Sequence, residues 1–145
     1  MTKISKRANV AYSANQMFAL VNDIKSYPDF LPWCSGTNVL EDNGDSLIAS
    51  VSISLGKITQ TFTTANTIQP DTSINMKLVK GPFKEMNGHW QFHDDANGGC
   101  SVSLNMQFEF KNRLLKHTFG TAFKKITDSL VDAFIERARV VYGTE

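Results

Sequence analysis

The sequence holds only two cysteines and four prolines among its 145 residues, and no long apolar run. Each scarcity removes a class of protein. Cys34 and Cys100 form no C-x-x-C pair and have no histidine at a zinc-finger spacing, so a disulfide-stapled scaffold and a structural zinc module are both excluded. Spacing alone leaves open two buried thiols or one disulfide, and a reducing cytoplasm favours the thiols. No stretch approaches the ~20 apolar residues of a membrane span. The first residues, MTKISKRANVAYS, carry no apolar run, so neither a signal peptide nor an anchor is expected there, and the expected location is cytoplasmic. Charge of one sign is missing as well. Fifteen basic against fourteen acidic residues give a net charge of +1 and a pI near 7.8. Nothing global draws the chain to DNA, and any polyanion contact must be local.

Phenylalanine is abundant, with ten residues against two Trp and three Tyr. Phe brings apolar area without a polar end, which suits a greasy interior. The length fits one domain over residues 1–145. Ile4, Ala8 and Val10 share one side of an expected first strand. Ser13-Ala14-Asn15-Gln16 then reads as a capping box, with Tyr12 and Met17 placed as a hydrophobic staple, opening a short helix to about Asn22. The segment SYPDFLPWCSG follows. Pro28 and Pro32 restrict it to an irregular stretch or a brief helical turn.

From Thr37 to Lys111 the period is two. Asp42-Asn43-Gly44-Asp45, Gly56-Lys57, Pro70-Asp71, Gly81-Pro82 and Asn97-Gly98-Gly99 mark turns between six strands. Ala49, Val51, Ile53 and Leu55 share one face against Ser50, Ser52 and Ser54. Val102, Leu104, Met106, Phe108 and Phe110 oppose Ser101, Ser103, Asn105, Gln107 and Glu109. That is an antiparallel meander with one dry face and one wet face. After Lys111 the period becomes 3.6. Leu115, Phe119, Ala122, Phe123, Ile126, Leu130, Ala133, Phe134 and Val141 trace one stripe from about Arg113 to Tyr142. A helix of about 28 residues spans ~42 Å, so it is expected to lie straight across the dry face. The class is α+β.

Two segments narrow this further: Tyr27-Pro28-Asp29-Phe30-Leu31-Pro32-Trp33-Cys34, and Gly81-Pro82-Phe83 followed by Gly88-His89-Trp90-Gln91-Phe92. With the element order they resemble the ribosome-association toxin and coenzyme Q-binding protein family of the START and polyketide-cyclase-like superfamily, over about residues 1 to 143. The resemblance implies a helix-grip fold, a curved sheet of about seven strands around a long C-terminal helix. It implies a cavity for a hydrophobic ligand, ubiquinone or a related lipid, bound without catalysis and in support of respiration. It also implies a second activity, binding of the large ribosomal subunit with a block of subunit association.

The candidate cavity residues are Val51, Ile53, Phe62, Met76, Leu78, Trp90, Leu104, Met106, Phe108, Phe119, Phe123, Ile126 and Leu130. The same residues also read as a solid core. Tyr27, Pro28, Phe30, Leu31, Trp33, Pro82 and Phe83 are candidates for the rim or lid, or for an ordinary packed loop. Burying about ten methylene equivalents yields ~8 kcal/mol. Micromolar binding needs about 8 kcal/mol after association costs. An isoprenoid tail of about fifteen or more carbons reaches that range by burial alone.

Catalytic signals are weak. Asp42, Asp45, Asp71, Asp94 and Asp95 fall in turns, and no nucleophile or phosphate-loop motif occurs. His89 and His93 share a strand face but stand ~13 Å apart, and His117 is alone, so no metal or catalytic site is expected. A cyclase reading rests on fold analogy only. Lys111, Arg113, Lys116, Lys124 and Lys125 form a basic run without an acid. It reads as a contact for rRNA phosphates or an anionic membrane surface, or as a solvated helix face.

Overall fold

A computed structural model describes residues 1–143. The order is β1 (Thr2–Val10), α1 (Ala14–Asn22), a 3-10 turn (Ile24–Ser26), α2 (Tyr27–Phe30) and β2 (Cys34–Asp42). Then come β3 (Ser46–Leu55), β4 (Ile58–Gln69), β5 (Ser73–Lys80), β6 (Phe83–Asp94) and β7 (Cys100–Phe110). The chain ends in α3 (Arg113–Leu115), a π-helical turn (Lys116–Gly120), α4 (Thr121–Asp128) and α5 (Leu130–Tyr142). The α+β helix-grip class expected from the sequence is what forms.

The seven strands make one sheet in the order β1-β7-β6-β5-β4-β3-β2, and every pairing is antiparallel. The turn residues act as their chemistry dictates. Gly44 takes a φ of 86° between β2 and β3, while its amide donates to the Asp42 carboxylate at 2.9 Å. The alternation holds where it is clearest: Val102, Leu104, Met106 and Phe108 of β7 are all buried, facing the helical layer.

Two features of the Gly-Pro-Phe and Gly-His-Trp segments explain their glycines. At Gly81 φ is 158°, and a Cβ there would lie 2.7 Å from the Cβ of Phe62. At Gly88 a Cβ would meet the Met76 Cε at 2.6 Å and the Met106 Cγ at 3.2 Å. Gly88 stands between those two methionines in register, so its missing side chain is the space they fill.

The C-terminal helix departs from the straight rod expected. The Thr127 hydroxyl donates back to the Phe123 carbonyl at 3.1 Å and the Lys124 carbonyl at 3.0 Å. The Ser129 hydroxyl donates to the Ile126 carbonyl at 3.0 Å. Such back-bonding competes with the helical ladder and bends it, and regular helix stops at Asp128 and resumes at Leu130. Val141, placed on the stripe by period, is exposed, while Val131 and Ala138 are buried. The last turn packs on α1 rather than on the sheet: the Tyr142 hydroxyl donates to the Gln16 carbonyl at 2.9 Å.

Candidate functional site

Between the dry face of the sheet and the bend in the helix lies a cavity of about 80 Å³. The sheet contributes Ala49, Val51, Ile53, Phe62, Thr64, Asn66, Met76, Met86, Trp90 and Met106, and the helix contributes Phe123, Ile126, Thr127, Leu130 and Phe134. Ile24, Tyr27 and Trp33 close it from the segment after α1. No charged side chain lines it. The void is real but small against the ~300–1,000 Å³ of typical ligand pockets. It admits a ring or a short hydrocarbon segment, and a long isoprenoid tail enters only if a wall moves.

The structure brings nine of the thirteen sequence-derived cavity residues to this wall: Val51, Ile53, Phe62, Met76, Trp90, Met106, Phe123, Ile126 and Leu130. Leu78, Leu104, Phe108 and Phe119 lie off it. Phe108 and Phe119 are consumed by an aromatic cluster around Phe123, at centroid distances of 4.9 and 5.6 Å. Leu104 is fully buried, and Leu78 packs beside Gly81. At the rim, Tyr27 and Trp33 border the cavity. Pro82 and Phe83 do not; both are buried, and Phe83 sits 5.1 Å from Phe123 in the same cluster. Leu31 is likewise buried, while Pro28 is exposed.

The segment over the cavity is held by aromatic edges and one cation. Tyr27, Phe30 and Phe134 meet edge to face at 5.4 to 6.2 Å, and the Arg137 guanidinium lies 4.9 Å from the centre of the Phe30 ring. The Tyr27 hydroxyl donates to the Val21 carbonyl. Burial of that phenol, reinforced by Cys34 and Asp23, pushes its pKa well above the ordinary value, so it stays a neutral donor.

Sequence reasoning missed Thr64, Asn66 and Thr127, three buried polar residues on the wall. The signal was present. Phe62 and Ile68 are apolar on one face of β4, and Thr64 and Asn66 fall between them at period two.

A second concavity, about 470 Å³, lies on the exterior where β7 meets the helix. Lys111, Arg113, Lys116 and Lys124 line it together with Lys84 and one acid, Glu109; Lys125 lies outside it. Four of the five residues in the basic run thus converge, and Lys84 joins from β6. Lys124 is also 3.8 Å from Asp128, a surface pair of small energetic weight. Among the described residues no group of three or more His, Cys, Asp or Glu could hold a metal ion. No helix there is long and apolar enough to cross a membrane.

A curved sheet gripping a helix around an apolar void defines the START-like and cyclase-like class. The chain belongs to the polyketide cyclase/dehydrase and lipid transport family, whose model matches residues 10–135. It is 46% identical over 143 residues to the ribosome association toxin RatA of Vibrio cholerae, covering 99% of each chain. It is 24% identical over 140 residues to the mitochondrial coenzyme Q-binding protein COQ10 homolog B of Xenopus laevis, covering 94% of this chain and 57% of that one. The ZhuI aromatase/cyclase from Streptomyces sp. R1128 superposes with a TM-score of 0.84 over 99% of both chains at 15% identity, a likeness of fold.

Proposed function

We propose that this chain is a non-enzymatic binding protein that holds a hydrophobic ligand, lipid or ubiquinone-like, between the sheet and the C-terminal helix, in support of quinone function. The observation that carries the proposal is an apolar void that the Phe-rich interior leaves open beside the break in the C-terminal helix. Its walls carry hydroxyls but no His, Lys or carboxylate to activate them, and general acid–base work needs such a group. Three methionines on the wall, Met76, Met86 and Met106, are unbranched and adaptable, and the Tyr27–Phe30–Trp33 segment is the wall that moves to admit a longer chain. The name of the Xenopus relative supports a quinone.

The test is titration with a neutral fluorescent apolar probe, N-phenyl-1-naphthylamine. The wild type is expected to bind it near one per chain. Val51→Trp fills the void from a half-buried strand position and is expected to weaken binding at least tenfold, while far-UV circular dichroism is unchanged. Absence of binding by the wild type, or equal binding by the two, speaks against the cavity as the site.

A second reading concerns the outside of the molecule, and the two are compatible. The 46% identical relative is named for ribosome association, and the exterior groove gathers five basic residues around one acid. Such a groove suits contact with rRNA phosphates, which releases counterions and makes binding salt-dependent. Co-sedimentation with large ribosomal subunits is expected to fall steeply between low and moderate salt. The double change Lys111→Glu and Lys116→Glu is expected to flatten that salt slope by roughly two. An unchanged slope would remove the groove as the contact.

A further inference from the structure

Uncharged walls set limits on what the cavity can accept, and the amide of one side chain on them is oriented but left without an acceptor. Asn66 and Thr64 are about 95% buried on the inward face of β4. The Thr64 hydroxyl donates to the Asn66 side-chain oxygen at 2.9 Å. That bond fixes the amide's orientation and uses its acceptor. The amide nitrogen has no hydrogen-bond acceptor among the described residues and keeps some accessible surface. Asn66 itself lines the void. The wall hydroxyls are committed, Thr127 to Phe123 and Lys124 and Tyr27 to Val21, and the remaining donors on the wall are the indole N–H groups of Trp33 and Trp90, which no second side chain orients as Thr64 orients Asn66. A buried donor left without a partner is costly, and filling the cavity with a pure hydrocarbon would strip even transient water from it.

We infer that Asn66, aligned by Thr64, is the polar anchor of the cavity and seats the acceptor oxygen of an uncharged apolar ligand, such as a quinone carbonyl or an ester. The inference rests on the reading that the cavity holds a hydrophobic molecule, and it adds which chemistry that molecule carries and where. No cation faces the void, so a fatty-acid carboxylate or a phosphate would be buried unpaired, which is prohibitive. Position gives the orientation. Asn66 pairs with Leu47 of β3, whereas the Trp33 carbonyl is bonded at Ser54 of the same strand. Seven residues of strand separate the two, on the order of 20 Å. The ligand's oxygen lies toward the Leu47 end of the sheet, and its tail runs toward Trp33.

The experiment is displacement of N-phenyl-1-naphthylamine by three probes of similar length: decylubiquinone, n-decylbenzene and dodecanoate. For the wild type, decylubiquinone is expected to displace best and dodecanoate least. Asn66→Leu is expected to weaken decylubiquinone roughly fivefold, one neutral hydrogen bond's worth, and to leave n-decylbenzene unweakened. Thr64→Val keeps the amide but frees its orientation, and an intermediate loss is expected. Thermal unfolding confirms that each variant is folded. A folded Asn66→Leu that weakens both neutral probes equally, or neither, overturns the anchor while the cavity reading stands. Tight displacement by dodecanoate overturns the uncharged class. Displacement by none of the three from the wild type removes the cavity reading and the anchor with it.

Discussion

Cys100 sits between Asp94 on β6 and Val10 on β1 with no exposure, and Cys34 opens β2, also buried. Both are free thiols, the alternative the sequence favoured. Burial pushes the Cys100 thiol up to about 11, with the charges of Asp94 and Asp95 adding to it. Burial also raises Cys34, against a smaller opposing hydrogen bond from the Gly36 backbone. A raised pKa means that the fold prefers the neutral thiol. Its stabilising share is complete below the unfolded value near 9 and is lost as pH rises toward 11. Urea midpoints are therefore expected to fall between pH 9 and 11, and to fall less in Cys100→Ala. Equal declines in the two proteins would assign the loss to other groups. At this scale the sequence was readable where a residue's role follows from its periodicity, as for Val51 or Trp90. It was opaque at Asn66, because a polar residue on a dry face is identified by its neighbours across the strands and not by its own type.

Helix α1 was legible in its first turn. The Ser13 hydroxyl accepts from the Gln16 amide at 3.1 Å, and the Gln16 side chain accepts from the Ser13 amide at 2.9 Å. Tyr12 and Met17 are buried beside it. Ser13→Ala is expected to cost about 1 kcal/mol in denaturant unfolding, and a loss below a few tenths would show the cap to be redundant. The C-terminal helix was legible in extent and in its first stripe, but its bend was not. Thr127 and Ser129 fit a 3.6 period as ordinary helical residues, and only the direction of their hydroxyls, back toward Phe123, Lys124 and Ile126, interrupts the ladder. Beyond the break the buried residues of α5 are Val131, Phe134 and Ala138. Thr127, Leu130 and Phe134, on either side of it, line the void.

The architecture of the molecule follows from two periods and the turns between them. Alternation sets which face of the meander is dry, hairpin turns force antiparallel neighbours, and a single helical stripe has one dry face to cover. What periodicity does not contain is how much space remains once the two surfaces meet. Phe83, Phe108, Phe119 and Phe123 close one half of the interface completely, and the bend leaves the other half open by about 80 Å³. The pocket is thus shorter than an even gap along the helix, and it is walled by neutral side chains with Asn66 as a donor held in place by Thr64. The exterior groove is set by a different part of the fold, the junction of β7 and α3, and shares no lining residue with the interior cavity.

The most direct measurement is native mass spectrometry of the protein purified from its own host cells without detergent, followed by identification of whatever dissociates. A neutral, apolar, oxygen-bearing molecule bound near one per chain in the wild type and absent from Val51→Trp is the expected result. A wild-type chain that flies bare from those cells, and stays bare after incubation with decylubiquinone, would contradict it.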